Sequence, residues 1–402
     1  MNFITKISIK NFFSIKNEIS IDFKASSYNI EHNIDRLFEL NGKYYNKIIS
    51  FYGANASGKT TILKAIVTLA RVIKNEQTDS FPTSFKNKFG DLGSNSEIEI
   101  SFVVDKKEYL YILTFKSQRF NNIAIENEKL YIVKNEKKKT FFDRKNKEIQ
   151  NIDKKIQDVI FNKLSEKKSL FQEFAKFDEN NILSDIEDFF MGINHSSNIS
   201  AYKTQLNTNL EDEKFIGRYL DVKVLRDGLE PFFLRFFNSI GLDIEKVKVK
   251  VKEEDGKEKE ILGLDIYHKV DSKEPLEFDL ESDGTQMLMK ILLNIYSAKL
   301  NKNSLVIDEF DSILHPVLIP ILNKLLIDND IQIIYTTHNI YNMQFLQNDE
   351  IFLIEKDSNH KTIVKPIKDI SEIKGYENLL THYENGLIGG IPNIKDIITK
   401  IF

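Results

Sequence analysis

The residues Gly53-Ala54-Asn55-Ala56-Ser57-Gly58-Lys59-Thr60 place two glycines, a lysine and a hydroxyl at the spacing a polyphosphate requires. Gly53 and Gly58 let the backbone wrap phosphates with no Cβ in the way, and the loop N–H groups face the anion. In this reading Lys59 reaches the β- and γ-phosphates of ATP, the Thr60 hydroxyl ligates Mg2+, and Thr61 completes the cradle. A second constellation lies far along the chain. Leu305-Val306-Ile307 runs into Asp308-Glu309, an apolar strand ending in two acids. Downstream of a phosphate loop, the first acid supports Mg2+ and the second polarises the attacking water as general base. Without such a loop, the same pair reads as solvated carboxylates at a strand end. A third apolar run, Ile331 to Thr337, delivers His338 about 30 residues after the acids; a lone histidine there is more often structural than catalytic. Finally, Glu281-Ser282-Asp283-Gly284-Thr285-Gln286 opens an amphipathic helix, where Ser282 or Asp283 suits an N-cap.

These residues need elements to hold them. Ile48 to Tyr52 reads as a buried strand before the loop, and Ile62, Ala65, Ile66, Leu69, Val72 and Ile73 repeat at helical spacing after it. Around them, Ile4–Ile9 with Ile19–Phe23, Glu97–Phe102 with Tyr109–Leu113, and Lys129–Val133 alternate at period two, with a turn at Asp105-Lys106-Lys107. The Lys-rich segment Lys134–Lys147 follows. From about residue 150 the period turns helical (Ile152, Ile156, Val159, Ile160, Leu164, Leu170, Phe171, Phe174), with loops near Ile193–Ser200, to about Phe237. Lys246 to Lys252 alternates again, and Asp255-Gly256 supplies a hairpin turn before Ile261–His268. No heptads are sustained enough for a coiled-coil arm.

Composition narrows the classes. A chain of 402 residues carries two or three core-bearing units, and its net charge of −4 gives no general pull toward nucleic acid or anionic membrane. It has no cysteine, so no disulfides and no thiolate zinc site, which suits the cytoplasm. The N-terminus lacks the long apolar core of a signal peptide, and no apolar run approaches the roughly 18 residues of a membrane span. The expectation is a soluble cytoplasmic protein with no membrane partner.

Taken in order, the motifs resemble the ABC-type ATPase superfamily, in the branch shared by SMC, RecF and OLD-like ATPases. Lys10-Asn11-Phe12-Phe13-Ser14-Ile15-Lys16 is similar to the first hairpin of that branch, and Glu281-Ser282-Asp283-Gly284-Thr285 to its signature. Leu314-His315-Pro316 resembles the OLD-like D-loop, and Tyr383 to Pro392 the ending of stand-alone OLD-like bacterial ATPases. The resemblance covers most of residues 1–120 and 240–402. It departs in having His315 where many relatives have aspartate, and in offering only Gln77 and Gln118 as magnesium-sensing glutamines.

The resemblance implies an α/β P-loop NTPase: an ABC-type ATPase head with an antiparallel β lobe and an inserted helical lobe. Its parts are 1–150 (phosphate loop and β lobe), 151–240 (helical lobe) and 241–402 (signature, acids and histidine). It implies that His338 senses the γ-phosphate, and that Ser282, Gly284 and Thr285 reach the nucleotide of a second subunit. ATP and Mg2+ then close a homodimer, or a higher assembly, and hydrolysis opens it. Only about 60 residues follow His338, fewer than a usual domain, so an effector nuclease or toxin is expected as a separate protein. The expected role is the sensor ATPase of a two-component bacterial anti-phage (abortive-infection) system. The alternative is a RecF- or SMC-like repair ATPase clamping duplex DNA, supported by Lys137-Lys138-Lys139, Arg144, Lys145 and the Lys246–Lys252 ribbon.

Overall fold

The computed structural model describes residues 2–74, 84–88, 90, 93–117, 123–150, 165–175, 177–191, 193–195, 222–254, 257–270, 273–312, 314–370 and 379–390. Gln77, Gln118, the periodic positions Ile152 to Leu164, the Asp255-Gly256 turn and the Ile391-Pro392 ending lie outside the described residues. The chain divides into two compact units. One comprises Met1–Tyr202, Asn301–Ser312 and Pro316–Phe402, the other Lys203–Leu300 and Ile313–His315.

The first unit begins with the hairpin β1 (Phe3–Lys10) and β2 (Ile19–Asp22), whose alternating isoleucines are buried. α1 (Ser27–His32) and the small pair β3 (Leu37–Leu40) and β4 (Lys43–Asn46) lead to β5 (Ile48–Tyr52), which is buried along its whole length. α2 (Lys59–Ile73) follows the phosphate loop. All six positions read from its periodicity are buried, and so are Leu63, Val67 and Ala70. β6 (Ser96–Val104), β7 (Lys107–Ser117), β8 (Ile123–Lys134), β9 (Lys137–Lys145) and β10 (Glu148–Gln150) then extend the first hairpin into one antiparallel sheet. Its order is β10-β9-β8-β7-β6-β1-β2. Asp105-Lys106 (φ +48° and +63°) and Asn135-Glu136 (φ +49° and +64°) close two of its hairpins. Both residues of each turn are left-handed, which matches the twist of the strands they join.

The Lys-rich segment is therefore largely strand, and its arginine is not part of a basic surface. Arg144 is fully buried against Glu128, with Nη1 3.2 Å from Oε2. It also donates to the carbonyls of Asn146, Ser165 and Lys168. Glu128 accepts in addition from Tyr111 Oη, Ser169 Oγ and the Leu170 N–H. Burial beside that carboxylate raises the Tyr111 hydroxyl far above its ordinary pKa. The network pins residues 165–170 onto the sheet. Removing one partner strands the other charge in the core, so Arg144→Met is expected to cost about 3–5 kcal/mol in chemical denaturation. A loss below about 1 kcal/mol would show that this network does not hold the sheet.

Next come α3 (Phe171–Ala175) and α4 (Ile182–Met191), whose Phe189 and Phe190 rings lie 5.9 and 5.0 Å from Phe102 of β6. Where a loop was expected, β11 (Asn194–His195) adds an edge to the central sheet. Two residues are too few to show a period. The second unit holds α5 (Val222–Ser239), the sheet β12 (Ile244–Glu254), β13 (Lys257–His268) and β14 (Leu276–Glu277), and the body of α6 (Asp283–Asn301). Ile244, Val247 and Val249 are buried while Lys246, Lys248 and Lys250 are exposed. Described helices of the 151–240 stretch thus fall in both units.

Back in the first unit, β15 (Leu305–Ile307), α7 (Leu318–Asp328), β16 (Ile333–Thr336), β17 (Ile351–Lys356), β18 (Thr362–Pro366) and α8 (Leu379–Glu384) complete the fold. The central sheet runs β11-β15-β16-β5-β17-β18, parallel except for β18. Its middle strands are apolar without alternation because both faces are covered. Among the described residues no helix is long and apolar enough to cross a membrane.

Candidate phosphate-binding site

Three neighbouring parallel strands end on the same edge. β5 runs into Gly53, β15 into Asp308 and β16 into Thr337-His338, and their register sets Leu305 beside Ile333 and Ile333 beside Ile48. The carboxyl ends of adjacent parallel strands are where α/β sheets collect ligand-binding groups. The sheet thereby gathers a loop and an acid pair that are 248 positions apart in sequence.

Gly53 (φ +154°) and Gly58 (φ +117°) both adopt backbone conformations that side chains disfavour. At Gly53 a Cβ would lie 2.2 Å from the Ile354 carbonyl oxygen of β17, so that strand is the wall against which the loop folds. At Gly58 it would meet Thr362 Oγ1 at 2.9 Å and Ser14 Oγ at 3.2 Å. Those two hydroxyls brace the loop from behind. Ser14 Oγ lies 2.7 Å from Thr61 Oγ1, Thr362 Oγ1 donates to the Ser57 carbonyl, and Lys356 Nζ bonds both Thr362 Oγ1 and the Ser14 carbonyl at 2.8 Å. The N-terminal hairpin is thus part of the site's support. No side chain caps α2, which leaves its first turn facing the loop for an anion.

Lys59 is 5% exposed and donates to the Gly53 and Ala54 carbonyls at 2.8 and 3.0 Å. Burial lowers its pKa to about 8, against the opposing pull of Asp308 and Glu309. A phosphate beside it restores the proton. Below about pH 7 the free ammonium is already formed and nucleotide affinity should be flat. As pH rises through about 8 binding must take up a proton, so affinity should fall by up to about tenfold per pH unit. Titration of a fluorescent nucleotide from about pH 6.5 to about 9.5 checks this, and a flat profile contradicts it.

Thr60 Oγ1 donates to Asp308 at 3.1 and 3.0 Å, joining the phosphate loop to the acid pair. Asp308 also accepts from Thr336 Oγ1, which in turn accepts the Glu309 N–H at 2.9 Å. Glu309 is exposed with φ +52°, a left-handed backbone held in place by the Phe310 N–H bond to the Thr336 carbonyl. The next threonine repeats the device. Thr337 Oγ1 donates to both oxygens of buried Asp311 at 2.7 Å and accepts from the Asn339 N–H, while Asn342 Nδ2 also donates to Asp311. Burial pushes Asp311 up to about 6. His338 lies between these anchors with its ring open to solvent on one side, and its pKa is lowered first by partial burial and then by Lys59. A neutral imidazole there donates one proton and accepts another.

The fold thus brings Gly53, Ala54, Asn55, Ala56, Ser57, Gly58, Lys59, Thr60, Thr61, Asp308, Glu309 and His338 into one unit. Ser282, Gly284 and Thr285 belong to the other. There Ser282 is exposed and caps α6, its Oγ accepting the Thr285 N–H at 3.2 Å. His315 is exposed in the turn before α7. Sequence reasoning missed Thr336, Thr337 and Asp311. The signal available was a pair of hydroxyls ending a buried strand directly before a singled-out histidine.

The sequence matches, over residues 48–343, the family model described as "AAA domain, putative AbiEii toxin, Type IV TA system", well over half of the chain. The protein belongs to this AAA family. No curated protein matches it. Among solved structures the chain is similar to "Crystal structure of the SmcHead bound to the C-winged helix domain of ScpA" at TM-score 0.51 and 12% identity, covering 92% of this chain and 100% of that one. It is also similar to "SMC head domain from Thermotoga maritima" at TM-score 0.44 and 15% identity, covering 90% and 98%. At such identities the likeness of the first speaks for the fold. Family and fold together make the chain an AAA-family ATPase with the fold of an SMC head.

Proposed function

We propose that the AAA protein is an ATP-gated switch that closes as a homodimer and controls a separate effector in a bacterial anti-phage (abortive-infection) system. The observation that supports the enzymatic part is the direct bond from Thr60 to Asp308, which joins the loop to the acid pair. Their hard oxygen donors fit Mg2+, which is commonly held by one or two protein oxygens together with phosphates. When bound, the ion would neutralise charge on the β- and γ-phosphates. Lys59 orients the triphosphate, Glu309 takes the proton of the attacking water, and His338 contacts the γ-phosphate. Ser282, with the loop through Gly284 and Thr285, offers a hydroxyl and a helix N-terminus to the partner's nucleotide.

The effector-controlling part is supported by the family's toxin–antitoxin description and by the partner protein in the similar SMC-head complex. We place partner recognition in residues 151–240, which in sequence separate the phosphate loop from the Ser282 loop. Cells co-expressing this chain and the protein encoded beside it should resist phage, and Lys59→Ala should abolish resistance. Equal plaquing with and without the pair overturns the defence reading. The competing reading, direct clamping of duplex DNA, loses Arg144 to the core, and Lys250 is paired with Asp265 at 2.8 Å. A strong salt-sensitive shift in DNA mobility would revive it.

A further inference from the structure

The loop that opens α6 is held by a clamp from the sheet beside it. β13 and β14 pair with Asp265 opposite Glu277 and Ile266 opposite Leu276, so β14 leads directly through the turn Phe278–Leu280 to Glu281. Two residues beyond Ile266, His268 closes this ring. Its Nε2 lies 2.6 Å from Glu281 Oε1, and its Nδ1 lies 3.1 Å from the Asp243 carbonyl oxygen. The Glu281 side chain is only 6% exposed although the next residue, Ser282, is exposed. Its backbone is held as well, the N–H by the Phe278 carbonyl and the carbonyl by Gln286 Nε2 at 2.9 Å. A carboxylate withdrawn from water needs partners, and it contributes position more than net stability. Three fixed points on Glu281 therefore set where the Ser282 hydroxyl and the first turn of α6 sit.

We propose that His268 is a positioning residue for ATP hydrolysis, acting through Glu281 on the Ser282–Thr285 loop. This rests on the reading that the loop serves the partner subunit's nucleotide. His268 acts on the position of the loop and not on the reacting atoms. It keeps the hydroxyl and the helix N-terminus in register for the transition state, where a displacement of about 1 Å is costly. Nucleotide binding by the chain's own phosphate loop does not depend on it.

The test compares the full-length wild type with His268→Ala, His268→Gln and Ser282→Ala, measuring binding of a fluorescent ATP analogue and steady-state hydrolysis with magnesium. His268→Ala should bind nucleotide normally, with kcat reduced on the order of tenfold and KM little changed. His268→Gln retains an N–H where Nε2 stood and should recover most of the rate, which a general packing defect would not allow. A wild-type rate in His268→Ala overturns the proposal, as does joint loss of binding and hydrolysis or a failure of glutamine to rescue. Mixing with Lys59→Ala protomers separates the two layers of the argument. A pair of His268→Ala and Lys59→Ala protomers contains one intact site, so activity should exceed the sum of the two variants alone. If neither His268→Ala nor Ser282→Ala is complemented, while His268→Ala alone still slows hydrolysis with binding intact, the loop works within its own chain. The partner reading then fails and the clamp stands. If Ser282→Ala is complemented and His268→Ala was never impaired, the clamp alone fails.

Discussion

Replacing Lys59 with alanine is expected to abolish nucleotide binding. The Nζ occupies the mouth of the loop, bonded to the Gly53 and Ala54 carbonyls, and has to exchange them for phosphate oxygens. Hydrogen bonds to charged partners contribute about 1.5–3 kcal/mol each, so losing two weakens affinity by about a hundredfold or more. The same change removes a buried ammonium whose proton is already disfavoured by burial. The unliganded variant should therefore melt no lower than wild type. The contrast is diagnostic. Nucleotide at about a hundred times Kd stabilises wild type by about 2.7 kcal/mol, and that increment should vanish in Lys59→Ala. A variant still stabilised by ATP to the wild-type extent would show that the anion does not sit at this loop.

Glu309→Gln should separate binding from chemistry. Glutamine fits the same backbone and keeps the N–H that Thr336 Oγ1 accepts, so the acid turn and Asp308 stay in place. It cannot take a proton from water. Losing a general base lowers turnover by about a hundredfold to ten-thousandfold, while ATP remains bound. Since ATP holds the closed form in this account, the variant should accumulate a long-lived ATP-bound dimer. Undiminished turnover would remove Glu309 from the role of base.

The parts legible in the sequence were those in which residue type is dictated by local chemistry. Glycines at Gly53 and Gly58, Lys59 and Thr60 satisfy one loop and one anion, and the apolar run before them admits little but a strand buried on both faces. The repeat in α2 was visible for the same reason, because its burial follows a single period. What stayed hidden depends on pairing across the chain. Thr336 becomes informative only when the sheet sets β16 beside β15 and brings its hydroxyl to Asp308. Arg144 looked like one more basic residue in a lysine-rich stretch, yet it lies two positions after buried Phe142, on the same face of the strand, and finds Glu128 across the sheet. Glu281 opens the signature-like run, yet nothing in the sequence ties it to His268. Their contact exists because β14 turns back along β13. Such interactions are fixed by register, and register belongs to the folded sheet.

Sedimentation velocity of Glu309→Gln with magnesium and ATP, across a wide range of protein concentration, tests the central claim most directly. The expected result is a shift from one protomer to two that requires nucleotide and is absent when Lys59→Ala or Ser282→Ala is added to the same chain. A particle that keeps the mass of a single protomer at the highest concentration, with ATP demonstrably bound, would contradict the account.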